Sequence, residues 1–364
     1  MELPYTRRLA KLRMRLRQEQ LPALLVTKFV NVTYLTGFSG DDSYLLVTAD
    51  DAIMLSDFRY VEQLQEECSG LAVEIRAPGV SMLQLIAQVV RQVKVGRLGV
   101  EGESISTGMH QRLQHELPKI EFVVSGGLVE KQRETKDREE IDEIRRSVYV
   151  AQRAYEVIRA QLRPEQTEKR IAAELEYQIR LFGGNGCSFA PIVAAGPRAA
   201  LPHAVPTDRR MEESDFVLID WGAKATRYAS DLTRILVTGK ISAKLERVYG
   251  VVLKAQLRAI EAIRPGARMS DVDAVARTVI AQAGWGKNFG HGLGHGIGLE
   301  IHESPRLAVQ QDQPLTAGMV VTVEPGIYLP GWGGVRIEDD VLVTRDGHEV
   351  LSDLPKDLDR CLVR

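Results

Sequence analysis

VLIDWGAKATRYASDLTRILVTG (217–239) and VVTVEPGIYLPGWGGVRIEDDVLVT (320–344) decide how this chain folds. Each closes an apolar run with a carboxylate-x-Gly, Asp220 with Gly222 in the first and Glu324 with Gly326 in the second. Each then places another acid on the next run, Asp231 and Glu338, at spacings of 11 and 14 residues. Two hairpin-like units, each presenting two acids, predict a pseudo-symmetric site. An ionised carboxylate in an apolar strand is costly unless it is paired or bound to a metal. Nearby cations are few, and two structural ion pairs, Asp231 with Arg234 and Glu338 with Arg336, are the simpler alternative.

Between these units lies FGHGLGHGIGLEIHE (289–303), with three of the chain's seven histidines and five glycines in fifteen residues. Glycine at that density is costly in regular structure and lets backbone approach a ligand closely. His291, His295 and His302 therefore read as part of a site, and His203 follows another Gly/Ala/Pro-rich loop. Four carboxylates and one imidazole suit Mn²⁺, Co²⁺ or Zn²⁺. Two divalent ions would balance four negative charges, whereas one would leave two acids uncompensated. A two-metal centre makes water nucleophilic near neutral pH for attack on a carbonyl.

Outward from the site, the charged stretch 130–146 opens a helix, because Asp137 followed by Glu140 is a capping-box pattern. Helices are also expected over 168–182 behind Thr167, over 243–263 behind Ser242, and over 271–283 behind Ser270. Strands are expected around 216–220 and 229–238, and strand-rich stretches over 320–328 and 334–344. Before residue 130, strands at 24–27, 44–48, 52–55, 73–76 and 98–101 alternate with helices at 59–67, 82–93 and 109–117, an α/β layer. The length of 364 residues fits about two domains. A net charge of −2 gives no bulk attraction to nucleic acid or anionic membrane. No apolar run approaches the roughly 20 residues of a membrane span, and the basic N-terminus lacks the apolar core of a signal peptide. Cys68, Cys187 and Cys361 are odd in number and far apart, which excludes a disulfide framework and points to a reducing cytoplasm.

The set IDWGA…SDLTR, HGLGHGIGLEIHE, TVEPGIY and GGVRIEDD closely resembles the aminopeptidase P and prolidase family of dinuclear metallopeptidases, which have the pita-bread fold. NVTYLTGFSG and SDFRYVEQ are similar to pieces of that family's smaller domain. The resemblance implies an α/β (α+β) architecture, with a creatinase-like α/β domain over residues 1–129 and a pita-bread catalytic domain over 130–364. It implies Asp220 as a terminal ligand, Asp231 and Glu338 as bridges between two divalent metal ions, and His295 and Glu324 as ligands of the other ion. Glu324 would also act as general base, His203 and His302 would contact substrate and shuttle protons, and His291 would line the pocket. Trp221 departs from the smaller residues commoner after the first ligand.

The implied activity is hydrolysis of the Xaa-Pro bond at a peptide N-terminus or in a dipeptide, with manganese the foremost metal and a homodimer the implied assembly. Trp221, Tyr228 and Tyr328 are possible walls for a proline ring. A dipeptidase must also grip a free carboxylate, best done by the planar fork of an arginine. Arg306 and Arg336 are the candidates, and Arg336 could instead orient an acidic ligand. Three rival readings share the fold: a metal-free creatinase-like amidinohydrolase, a methionine aminopeptidase, and a non-catalytic pita-bread binding module.

Overall fold

The computed structural model describes residues 4–363. The chain divides into two compact units, Met1–Arg133 and Glu134–Arg364.

In the first unit the elements run α1 (Pro4–Gln18), β1 (Ala23–Val26), α2 (Phe29–Thr36), β2 (Tyr44–Thr48), β3 (Ala52–Ser56), α3 (Val61–Glu67), β4 (Ala72–Ile75), α4 (Met82–Gln92), β5 (Arg97–Glu101), α5 (Thr107–Glu116), β6 (Glu121–Ser125) and α6 (Glu130–Arg133). The strands form one mixed sheet in the order β4-β3-β2-β1-β5-β6. Leu25, Leu46, Leu55, Leu98 and Val100 of that sheet bury against Leu85, Ile86, Val89 and Val90 of α4. Ser81 caps α4 in a reciprocal capping box with Gln84, which fixes where the helix starts. The expected α/β layer is this sheet.

The second unit continues with α7 (Arg138–Gln161), α8 (Glu168–Leu181), β7 (Gly186–Cys187), β8 (Ile192–Ala195), β9 (Phe216–Trp221), β10 (Ala223–Lys224), β11 (Leu232–Val237), α9 (Ala243–Ala262) and α10 (Met269–Gln282). It ends with β12 (Gly294–Gly296), β13 (Glu303–Leu307), β14 (Val320–Val323), β15 (Gly326–Leu329), β16 (Gly333–Arg336), β17 (Asp339–Val343) and β18 (His348–Val350). Asp137, Thr167 and Ser242 cap their helices through side-chain hydrogen bonds to first-turn amides. Ser270 does not cap α10. That helix starts at Met269, and the Met269 and Ser270 amides donate to the Gln313 and Gln311 carbonyls, so a neighbouring segment satisfies the first turn instead.

Two sheets carry the acids. One is three-stranded, β11-β9-β8, and the other five-stranded, β13-β12-β14-β17-β18. They meet where Thr233 bridges Glu338, the Glu338 amide donating to the Thr233 carbonyl at 3.2 Å. The expected strands over 320–328 and 334–344 are each interrupted, at Glu324-Pro325 and at Ile337-Glu338, so both acids sit at strand ends rather than within strands.

Strand alternation sorts the side chains of β9. Phe216 and Leu218 pack into a core shared with α9 and α10, whereas Val217, Ile219 and Trp221 pack toward α7 and α8. Asp220 therefore shares the Phe216 and Leu218 face. On β11, Ile235 and Val237 join the first core and Leu232 and Leu236 the second, which puts Asp231 and Thr233 on the Asp220 side.

Candidate metal centre

Four carboxylates, Asp220, Asp231, Glu324 and Glu338, and the imidazole of His295 come together where the two hairpins meet. One ligand atom from each of Asp231, His295 and Glu338 lies within 4.8 Å of the others. Burial pushes the carboxyl groups of all four acids above their usual range, Glu324 to about 8. Neighbouring carboxylates push Asp231 and Glu338 further up, whereas Arg336 pulls Asp220 and Glu324 back down.

Each acid is held by one oxygen or by its backbone. Asp220 Oδ2 accepts from Arg336 Nη2 at 2.5 Å, and Glu338 Oε2 accepts from the Thr233 hydroxyl at 2.6 Å. The Asp231 amide donates to Asp340 Oδ2 at 3.0 Å, and the Thr322 hydroxyl donates to Glu324 Oε1 at 3.3 Å. The other oxygens, Asp220 Oδ1, Asp231 Oδ1 and Glu338 Oε1, are buried with no hydrogen-bond partner. Buried polar atoms are rarely left so.

His295 sharpens the point. Its Nδ1 lies 3.0 Å from the Gly296 carbonyl, which can only accept, so Nδ1 carries the hydrogen and Nε2 a lone pair. Burial lowers its pKa to about 4, so the ring is neutral. That lone pair faces Glu324 Oε1 at 3.5 Å and Asp231 Oδ2 at 3.6 Å. Acceptors facing acceptors, with three orphaned carboxylate oxygens beside them, are what a bound divalent cation relieves. The residues fit a metal.

Neither structural ion pair forms. Arg234 points to the other face and binds Asp339 at 2.6 Å, and Arg336 binds Asp220. Among the described residues, Asp231 and Glu338 have no lysine or arginine ion-pair partner.

The glycine-rich segment delivers the histidines. A side chain at position 294 would run into the Thr322 carbonyl at 1.9 Å, so Gly294 lets β12 press against β14 and brings His295 to the acids. Arg277 of α10 pins the segment by donating to the Phe289 and His291 carbonyls, while Asp273 accepts from the Leu293 amide. His291 Nε2 meets the Tyr328 hydroxyl at 2.9 Å, and burial lowers the ring's pKa to about 4. His302 is exposed, its ring centroid 4.4 Å from that of His295. It lies within a turn locked by Glu303, which accepts from the Glu300 amide and pairs with the buried Lys136 at 3.3 Å. His203 is exposed and close enough to disfavour the protonated forms of His302 and His291.

Three expected substrate contacts have their polar groups engaged within the protein. Trp221 is fully buried on the opposite face of β9, stacked on Tyr155 at 4.4 Å with its indole N–H donating to the Ala151 carbonyl. Strand alternation turns it away from Asp220. The hydroxyl of Tyr228 donates to Glu140 Oε1 at 2.7 Å, tying it to the first turn of α7. Arg336 is buried with its donors engaged by Thr233, Tyr328, Pro202 and Asp220, so it holds Asp220 in place and has no fork left for a substrate carboxylate. Arg306 stays available: it is exposed and pairs directly opposite His295 in the β12–β13 register. The hydroxyls of Thr233, Thr322 and Tyr328, which hold Glu338, Glu324 and Arg336, carried no such expectation in the sequence.

The family model described as metallopeptidase family M24 matches residues 142–345, and the creatinase/prolidase N-terminal domain model matches residues 8–135. An Xaa-Pro dipeptidase of Pyrococcus furiosus is 35% identical over 96% of this chain and 99% of its own. The solved Xaa-Pro dipeptidase of Bacillus anthracis superposes with a TM-score of 0.93 at 38% identity, covering 97% of this chain and 99% of that one. An X-Pro aminopeptidase structure from Thermotoga maritima gives a TM-score of 0.87 at 35% identity over 94% and 99%.

Proposed function

The chain belongs to metallopeptidase family M24, and from that premise we propose that it is a metal-dependent exopeptidase cleaving Xaa-Pro bonds, with dipeptides among its substrates. The observation that carries the metal-dependent part is the lone pair of His295 Nε2 facing two carboxylates beside three orphaned carboxylate oxygens. The same observation disfavours a metal-free amidinohydrolase and a non-catalytic binding module, which have no need of such a donor set.

Asp220, Asp231, His295, Glu324 and Glu338 would hold two divalent ions, manganese foremost on the family resemblance, since the oxygen-rich set with one imidazole suits Mn²⁺, Co²⁺ or Zn²⁺ alike. Such a pair supplies Lewis acidity toward a carbonyl and a nucleophilic water near neutral pH. Glu324 takes a proton at its carboxylate and passes it to the leaving nitrogen. His302 and His203, both exposed beside the cluster, donate hydrogen bonds to the substrate and hold its carbonyl in place. His291 acts from the pocket wall with Tyr328. Arg306 receives the free carboxylate of an Xaa-Pro dipeptide, a role supported by its exposure and its place opposite His295. A cytoplasmic homodimer completes the proposal; its compartment is supported by three free cysteines.

The test compares an Xaa-Pro dipeptide, its C-terminal amide and an Xaa-Pro-Xaa tripeptide, in wild type and in Arg306→Ala. Amidation should lower kcat/KM, and Arg306→Ala should abolish that difference. If amides and tripeptides turn over as well as the dipeptide, the carboxylate anchor fails and the enzyme is an aminopeptidase. If no proline substrate is cut while other peptides are, the specificity assignment fails.

A further inference from the structure

Far from the ligand set, one carboxylate gathers an unusual number of bonds. Glu168, the first residue of α8, is fully buried. Its Oε1 accepts from the Ala195 amide at 2.8 Å. Its Oε2 accepts from the Thr207 amide at 2.8 Å and the Thr207 hydroxyl at 2.7 Å. Arg198 Nε lies 3.2 and 3.0 Å from the two oxygens. Ala195 ends β8, and Thr207 lies where the chain returns to α8, its carbonyl accepting from the Lys169 amide. One carboxylate therefore ties both ends of the 195–207 segment, and Arg198 extends the grip inward through Nη2 to the Val205 carbonyl at 2.6 Å.

Between those ties lies Leu201-Pro202-His203-Ala204-Val205, with Leu201 54% and Val205 76% exposed, so the tip has little packing to hold it. Ala204 alone is buried there. The Pro202 carbonyl also receives the Arg336 guanidinium, but at the outer limit of 3.4 Å. His203 itself is exposed, and its backbone is held by the two closed ends together with Ala199 and Ala204, which pack into the core. A loop closed by short charge-assisted bonds at both ends keeps few conformations, whereas the same loop released at one end gains many.

We propose that Glu168 is a positioning residue for the reaction: through Arg198 and Thr207 it fixes where the 195–207 loop presents His203. This rests on the reading of His203 as a substrate contact. Glu168 reaches no reacting atom itself, so its effect runs through the loop. A carboxylate accepts at every one of these contacts. An amide would turn its NH₂ toward the Thr207 amide or the Ala195 amide and break one end of the closure.

The experiment is a double-mutant cycle with Glu168→Gln and His203→Ala, with metal content and amide hydrogen exchange measured on each variant. His203→Ala should lower kcat/KM on the order of 10²-fold, as for loss of one positioned donor. Glu168→Gln alone should lower it about 10-fold or more, mostly in kcat, up to the about 10²-fold that a 1 Å misplacement can cost. Combined, the two should cost no more than His203→Ala alone, because the second change acts through the first. Exchange should quicken within 195–207 while α8 and β9 keep their protection and bound metal stays at the wild-type level. Independent, multiplying effects overturn the proposal, as do an unchanged kcat/KM in Glu168→Gln or loosening spread through α8 and β9. A silent His203→Ala removes the reading of His203 and this inference together, whereas an impaired His203→Ala with multiplying effects removes this inference alone. If Glu168→Gln does not fold, Thr207→Val and Arg198→Gln each open one tie and carry the same cycle.

Discussion

Replacing Thr233 by valine keeps the shape of a fully buried strand residue and deletes one hydroxyl. That hydroxyl donates to Glu338 Oε2 at 2.6 Å and accepts from Arg336 Nε at 3.1 Å. In Thr233→Val, Glu338 keeps no donor of its own, and a guanidinium that is 3% exposed loses an acceptor. A buried donor left unmet costs about 1–3 kcal/mol, which for a domain of this size lowers the melting temperature by roughly 2–12 °C. Loss of the group that orients a ligand typically lowers metal affinity about 10- to 100-fold, equivalent to about 1.4–2.7 kcal/mol. Thr233 touches no substrate, so at saturating metal kcat should stay within about threefold of wild type, and Thr233→Ser should recover most of the affinity. Chelator competition gives the affinity, and calorimetry of the metal-free protein gives the stability. A variant that melts lower but binds metal as tightly as wild type would show that Thr233 props the sheet seam without organising Glu338.

Asp231→Asn should lose metal and nearly all activity, because it removes one of the two carboxylates crowded most closely on His295; elemental analysis of the purified variant checks this, and a metal-replete, active protein refutes the ligand assignment. Arg234→Met takes one 2.6 Å donor each from Asp339 Oδ1 and the Glu338 carbonyl, while Lys356 and Gln256 stay on Asp339 Oδ2, and should destabilise by about 1–3 kcal/mol in denaturant unfolding. A loss under about 1 kcal/mol would mean that Lys356, Gln256 and Ser352 satisfy Asp339 without Arg234. Trp221→Phe should cost about 0.5–1.5 kcal/mol for the lost indole hydrogen bond to the Ala151 carbonyl, which stays within the hydrogen-bonded body of α7, while leaving the ranking of peptide substrates unchanged. A changed ranking would put the indole back at the pocket.

The acids were legible because a carboxylate closing an apolar strand contradicts its surroundings, and the paired units repeat the contradiction. Helix starts were legible where a side chain does the capping, as at Asp137, Thr167 and Ser242, and not at α10, where another segment's carbonyls take over. α2 was silent for a different reason. Its sequence FVNVTYLT is rich in β-branched residues that fit strands better, and its helix is set by burial and by the left-handed Gly37 that ends it. Trp221 was misread although the period of two already turned it from Asp220. Of the holding groups, Arg336 was anticipated as an orienter of an acid, and the threonines were not. Thr233 serves Glu338, and Arg336 serves Asp220, only because two hairpins remote in sequence meet in one register. A strand threonine carries no local mark of that.

The joint between the two sheets has a thermodynamic consequence. Each sheet brings its own pair of carboxyl groups to the seam, so docking the halves crowds acids that repel one another when ionised. A cation seated there would draw the sheets together and be coupled to the folding equilibrium itself. By mass action, an ion at about 100 times its dissociation constant adds about 2.7 kcal/mol to the folded state. Metal supply then governs not only how many molecules can turn over but how long each survives, since a difference of that size changes steady-state abundance several-fold. Starvation for the ion would thin the population as well as silence it.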